Sequence, residues 1–388
     1  MSVTDPRGFL AAGVAAGMKA SGRPDLGLLV SEAPASAAGL FTTNAFPAAP
    51  VVLSRRHLAG GRARGVVVNS GQANAGTGPA GLADALVAAR ETAGLLGAAT
   101  EEVMVCSTGV IGPRVEMPEL RRGLPAVHER LSPGGGSDFA HAILTTDTRA
   151  KESAVEAEGF TVGGCAKGAG MVAPDLATML VFLTTDAGCD PVLLDAVARR
   201  SVAPVFAGIT VDGCSSTNDT VLVLANGASG VDLGPGQTAP LERALAHAAR
   251  DLARQIVLDA EGVTKALVVQ VSGAGDDHAA RAVGKAVAGS LLVKTAVFGG
   301  DPNPGRLLQA LGAAGVPIDP HQTEIRLAGQ PVAAGGRMLP IDDEACREAL
   351  KEPEIVVQVG LGSGEGAATV FGCDLGYEYV RINGEYRT

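Results

Sequence analysis

The chain has 388 residues, with 53 Gly, 22 Pro, no Trp and 3% aromatic residues, yet 46% of it is hydrophobic. A disordered chain lacks that much apolar material, so the glycine, roughly twice the ordinary ~7%, marks tight turns in a globular protein of two or three units or one large α+β unit. The formal net charge is -10 and no basic run interrupts it, which makes nucleic acid and anionic membranes poor partners.

Residues 1–20 lack the basic start and bulky apolar stretch of a secretory signal, and no run reaches 18 uninterrupted apolar residues. Cytoplasmic residence is the resulting expectation. Short apolar runs bounded by Gly, Asn and Ser predict strands at 65–68, 103–106, 179–183, 221–224, 267–271, 355–359 and 369–371. Between them, Leu82, Leu86, Ala89, Ala93 and Leu96 recur at helical spacing, as do Leu241, Leu245, Ala249, Leu252 and Ile256. Asp190 before Pro191 reads as an N-cap followed by a proline in the first turn, opening a helix over 192–200. The segment 132–137, with three consecutive glycines, is the most linker-like part of the chain. Strands and helices mix without strict alternation and several strands are neighbours in the last third, which predicts a layered α+β architecture over a doubly wound parallel sheet.

The six cysteines show no CxxC pair and the six histidines no HxxxH or HExxH, so a disulfide framework or zinc site is not indicated. The cysteines read as small buried apolar residues of a reduced compartment. Gly168 to Ala173 fit the letters GxGxxA, but Pro174 and an apolar strand follow where a dinucleotide site needs a helix. The glycines at 360, 362, 364 and 366 carry no Lys-Ser/Thr pair and read as a turn between two strands.

The informative stretch is 163–187, GGCAKGAGMVAPDLATMLVFLTTDA. Small residues and a proline lead into Ala177-Thr178, and a strand begins directly after the threonine. A hydroxyl there would be held at a sheet edge, and cutting the Ala177-Thr178 bond would free an α-amine beside it to act as its base. On spacing alone, however, a threonine before an apolar run is an ordinary strand start, because β-branched residues favour strands.

The segment KGAGM (167–171) through ATML (177–180) resembles the self-cleaving ornithine acetyltransferase family of arginine biosynthesis. Similar blocks follow one order along nearly the whole chain: GFLAAGVAAGMKASGRPDL (8–26), VVVNSGQANAGTG (66–78), CSTGVIG (106–112), AILTTD (142–147), ITVDGCSSTNDT (209–220), DAEGVTK (259–265), VKTAVFGGDPNPGR (293–306) and YVRINGEYRT (379–388). The resemblance implies layered sheets and helices of the N-terminal-nucleophile-like (DmpA/ornithine acetyltransferase-like) type. It implies cleavage between Ala177 and Thr178 into an α chain, 1–177, and a β chain, 178–388, pairing as an α2β2 heterotetramer.

By matched position Thr178 is the nucleophile and Thr108 and Gly109 the oxyanion hole, where one donor is typically worth about 3 kcal/mol. Thr145, Lys167, Thr178, Glu261, Asn383 and Thr388 are the implied substrate contacts. N-acetylornithine and glutamate carry both signs of charge, so their pocket needs a cation and a carboxylate. Lys167 suits a substrate carboxylate and Glu261 an amine. The implied activity is glutamate N-acetyltransfer through an acetyl-threonine, without metal or redox cofactor, together with N-acetylglutamate synthesis from acetyl-CoA as a second donor. Two other readings remain: an N-terminal-nucleophile amidohydrolase or aminopeptidase with water as acceptor, and a non-catalytic small-molecule binding protein. Pro304 stands where the family usually has Trp, and Ala207 where Asn is common.

Overall fold

The computed structural model describes residues 1–172 and 179–385. The strand Leu180–Thr185 is buried throughout. Its side chains alternate: Leu180 and Phe182 enter one apolar cluster, Val181 and Leu183 another. A strand of this kind needs cover on both faces and partners on both edges. Thr220–Ala225 runs parallel along one edge and Thr161–Lys167 antiparallel along the other.

These strands form the middle of an eight-stranded mixed sheet. From edge to edge the order is Val103–Val110, Arg62–Gln72, Leu26–Phe41, Thr220–Ala225, Leu180–Thr185, Thr161–Lys167 and Lys151–Glu156, with Phe9–Val14 paired to Leu26–Phe41 off that path. The first part of Leu26–Phe41 pairs with Phe9–Val14 and Arg62–Gln72, and the last part with Thr220–Ala225, with a register shift between Val30 and Ala35. Strands from both sides of position 177 therefore share one sheet.

Helices Pro191–Ser201 and Ala239–Val257 cover one face. Leu194 and Val197 come from the first, and Leu241, Leu245, Leu252 and Ile256 from the second. Each such leucine or isoleucine contributes roughly 1.5–3 kcal/mol when fully buried. On the other face Phe139, from helix Gly136–Ala142, meets Phe182 edge-on with ring centroids 5.2 Å apart. A further cluster lies under helices Gly78–Leu96 and Met117–Glu129, where Ala85, Ala89 and Leu124 pack on Leu28 and Val67.

A second, seven-stranded sheet has the order Arg337–Met338, Gln330–Ala334, Glu324–Leu327, Glu354–Gly360, Ala266–Ala274, Gly366–Cys373 and Ile209–Thr210. Leu267, Val269 and Val271 pack against residues of helices Asp277–Gly289, Leu291–Gly299 and Pro304–Gly312. Ala266, Val268 and Phe371 instead join the cluster around Ala239–Val257, so that helix is a layer shared by both sheets. The layered α+β expectation holds, and six of the seven predicted strands lie within observed ones; the run 179–183 begins one residue ahead of the strand Leu180–Thr185. The helices built on Leu82 and Leu241 are Gly78–Leu96 and Ala239–Val257. Asp190 caps Pro191–Ser201 by accepting from the Val192 N–H at 2.9 Å.

Two expectations fail. Residues 132–137 are not a linker, because Ala11 and Ser132 exchange backbone hydrogen bonds at 3.1 Å. A β-carbon on Gly135 would fall 1.8 Å from the Ala11 carbonyl oxygen, so glycine is there for close packing rather than slack. Cys214 is exposed, unlike the other five cysteines, because it lies in a loop at a cavity mouth. Among the described residues no single helix is long and apolar enough to cross a membrane.

Candidate functional site

Strand Val103–Val110 is buried up to Thr108 and runs parallel to Arg62–Gln72, with Gly109 opposite Gly71. Gly109 has φ +124, and a β-carbon there would lie 2.4 Å from both the carbonyl carbon and oxygen of Gly71. Only glycine allows this backbone to close so tightly. The ends of these two strands are pinned from another segment: the Asn218 side-chain amide donates to the carbonyls of Ala73 and Ser107 at 2.6 and 2.8 Å.

Lys167 ends strand Thr161–Lys167, opposite Leu180. Its ammonium is buried and donates to the Thr108 hydroxyl at 3.3 Å. A hydroxyl that accepts this bond keeps its own hydrogen to give. Desolvation lowers the Lys167 pKa, opposed by the carboxylates of Asp147, Glu261 and Asp219 and reinforced by the Lys151 ammonium.

Asp147 organises this corner. One carboxylate oxygen accepts from the Lys151 ammonium at 2.6 Å and the Gly168 N–H at 2.7 Å; the other accepts from the Thr145 N–H at 3.1 Å. Burial alone would raise the Asp147 pKa. The ammonium groups of Lys167 and Lys151 and the Gly168 N–H outweigh it and hold the carboxyl well below the usual range. Lys151 is itself fully buried and also pairs with Asp259 at 2.6 Å.

Helix Ala239–Val257 leads into a turn that places Glu261, whose N–H donates to the Ala169 carbonyl at 2.9 Å. Its carboxylate accepts from the Asn383 amide at 2.9 Å, across from helix Tyr377–Glu385. A β-carbon on Gly170 would lie within 2.6 Å of the Glu261 carboxyl atoms, so glycine leaves room for this acid. On the same side Asp212 accepts from the N–H groups of Met171 and Val172 and from the Tyr379 hydroxyl, at 2.6, 2.9 and 3.2 Å. These bonds hold Met171 at φ 56, a left-handed conformation that a side chain adopts at a cost of roughly 1–3 kcal/mol.

Thr108, Gly109, Thr145, Lys167, Glu261 and Asn383 thus line one cavity of about 140 Å³, although they are scattered over 276 positions of sequence. Ala177, Thr178 and Thr388 lie outside the described residues. Reasoning from sequence missed Asp147, Asp212, Asn218, Asp219 and Tyr379 as parts of the site. All five fall inside the blocks that carried the resemblance, but nothing local tells a carboxylate that organises a site from one in a turn. Pro304 does not line the cavity; it is the buried first residue of helix Pro304–Gly312, behind the Asn303 cap.

A family model described as ArgJ family matches residues 10–388. The chain belongs to the ArgJ family. It is similar to the arginine biosynthesis bifunctional protein ArgJ of Thermosynechococcus vestitus, at 46% identity over 100% of this chain and 98% of that protein. The ArgJ of Mycolicibacterium paratuberculosis is 48% identical over 99% of this chain and 96% of its own length. A solved ArgJ from Bacillus halodurans is 37% identical with a TM-score of 0.51, covering 53% of this chain and 98% of the solved chain. The protein is accordingly an acetyltransferase of arginine biosynthesis with the ArgJ fold, and its cavity carries Lys167, Asp212 and Glu261 beside the Gly109 corner.

Proposed function

We propose that this cavity transfers an acetyl group from N-acetylornithine to glutamate by way of Thr178. The observation that carries the reading is the convergence of Thr108, Gly109, Thr145, Lys167, Glu261 and Asn383 on one cavity, beside the strand that starts two residues after Thr178. The Thr178 hydroxyl, deprotonated by its own α-amine, attacks the acetyl carbonyl. Thr108 and Gly109 donate to the resulting oxyanion, and ornithine leaves as the amine. The glutamate α-amine then attacks the acetyl-threonine and departs as N-acetylglutamate. One amide is exchanged for another, so the reaction is close to thermoneutral and its parts need no metal or redox cofactor.

Lys167 is the one buried cation on the cavity wall among the described residues and suits the carboxylate common to both substrates. Glu261 suits the side-chain ammonium of ornithine. A 388-residue chain cut before Thr178 stays together on this reading, because Leu180–Thr185 is hydrogen-bonded to Thr161–Lys167 and shares its core. The half-length match to the Bacillus halodurans chain fits such a division. An α2β2 assembly in the cytoplasm and the use of acetyl-CoA as a second donor complete the proposal.

The test is ornithine release from N-acetylornithine with and without glutamate. Release that requires glutamate and matches N-acetylglutamate formed supports transfer; full-rate release without glutamate makes the protein a hydrolase. No turnover with either donor would leave a binding protein.

A further inference from the structure

The two substrates of the proposed transfer set a charge problem. N-acetylornithine and glutamate share an α-carboxylate, but the first ends its side chain in an ammonium and the second in a carboxylate. In both, the charged atoms follow the third carbon beyond the α-carbon, so they reach the same place. A ping-pong cycle puts both molecules in one site, and the subsite for the side-chain end then meets each sign in turn. Glu261 matches only the ammonium. Lys167, the one cation on the cavity wall among the described residues, is taken by the shared carboxylate on this reading. The side chain of glutamate therefore needs a neutral donor near Glu261.

Helix Tyr377–Glu385 brings two neutral polar side chains to that wall, Tyr379 and Asn383. It is pressed on the Glu261 turn: Gly262 has φ +70, and a β-carbon there would fall 2.4 Å from the Tyr379 nitrogen. The Asn383 amide has both hydrogens committed, to Glu261 at 2.9 Å and to the Tyr379 carbonyl at 3.0 Å. The half-buried Tyr379 hydroxyl is held more loosely. It donates to Asp212 Oδ2 at 3.2 Å, an oxygen that already accepts from the Met171 N–H at 2.6 Å. Asp212 Oδ1 accepts from the N–H groups of Val172 and Cys214 at 2.9 and 3.1 Å, so Asp212 stays matched without the phenol. A phenol both donates and accepts. Burial, and after it the charge of Asp212, push the Tyr379 pKa up, so the hydrogen stays on its oxygen at neutral pH.

Resting on the proposed transfer, we infer that the Tyr379 hydroxyl is the contact that reverses sign in the side-chain subsite, and so the residue that admits glutamate. With N-acetylornithine bound, its hydrogen stays on Asp212 and a lone pair accepts from the ammonium beside Glu261. With glutamate bound, the hydroxyl turns its hydrogen from Asp212 to the side-chain carboxylate. Only hydrogen bonds change, and no proton leaves the phenol.

The experiment compares the processed full chain with Tyr379→Phe, which keeps the ring and loses the hydroxyl, after matched thermal melts. Two assays share the donor N-acetylornithine and differ in acceptor: glutamate, or isotopically labelled ornithine. Exchange onto ornithine presents only the ammonium to the subsite. Tyr379→Phe should lower kcat/KM for glutamate by about 10–100-fold, the effect of one hydrogen bond to a charged group. Exchange should fall by only about 2–5-fold, because the ammonium keeps Glu261. Equal losses in the two assays would make Tyr379 a prop for the Met171 turn and overturn the inference, as would a Tyr379→Phe protein with wild-type glutamate transfer. The reading beneath it fails separately. Unaltered protein that neither exchanges nor transfers is no acetyltransferase of this kind; unaltered protein that does both, with glutamate use unchanged in Tyr379→Phe, refutes only the role of Tyr379.

Discussion

Substituting Gly109 by alanine tests whether the corner of strand Val103–Val110 works as an oxyanion hole. The new β-carbon would sit 2.4 Å from two backbone atoms of Gly71, where ordinary contact begins at 3.4 Å. Neither atom belongs to a flexible side chain, so the two strands must part by about 1 Å at the point where Thr108 and Gly109 face the cavity, a shift that by itself can cost roughly 10²-fold. The residue would also keep φ near +124, adding roughly 1–3 kcal/mol of strain. Loss of one aligned donor corresponds to about 10²–10³ in kcat.

We therefore expect Gly109→Ala to lower kcat for acetyl transfer by at least about 10²-fold with a much smaller change in KM, because the oxyanion exists only in the transition state. Gly112→Ala is the control, since Gly112 also has positive φ, +108, but nothing lies within 4 Å of its β-carbon position. It should lose stability and keep most of its kcat. Steady-state kinetics on purified chains with matched thermal melts decide the matter. A folded Gly109→Ala protein with wild-type kcat would refute the oxyanion assignment.

Two other outcomes follow from the charges. Lys151→Met should destabilise the fold by about 3–5 kcal/mol at neutral pH, because it strands the carboxylates of Asp147 and Asp259 that Lys151 now pairs with, and denaturant unfolding would measure it. The native Asp147 pKa is held below its unfolded value, so its stabilisation is present above the unfolded pKa and lost as pH falls through the folded one; the gap between Lys151→Met and the unaltered protein should narrow in acid. If Lys167 holds a substrate carboxylate, as proposed, it does so only when protonated, and its pKa is lowered, so KM should rise as pH increases through that lowered pKa, earlier than an ordinary lysine would allow. Lys167→Gln should show a high KM throughout and no such rise.

Much of the framework is written in local pattern. The run 180–183 is apolar on both faces and the fold buries it between layers, while in 267–271 every residue but the exposed Gln270 is apolar and buried; the Leu241 series likewise predicts the helix that both sheets share. The long strand Leu26–Phe41 is harder to see because its middle is Ser, Glu, Ala and Pro and its register shifts after Val30. The glycines at 134–136 resemble a linker until the Ala11 carbonyl fills the space a side chain would need. Within the site, the residues proposed to touch substrate stood out through the blocks that carry the resemblance. The groups that hold them did not, since Asp147 acts on Lys151 and Gly168, Asp212 on Met171 and Tyr379, and Asp219 on Met179, all pairings made by the tertiary fold.

The central claim is that Thr178 carries the acetyl group. Incubating the protein with N-acetylornithine in the absence of glutamate, quenching in acid and measuring intact and peptide masses tests it directly. The account predicts a fragment beginning at Thr178 that bears one acetyl group on that residue and loses it when glutamate is added before the quench. An active protein whose acetyl group sits on another residue, or whose chain is uncut and never acetylated, would contradict it.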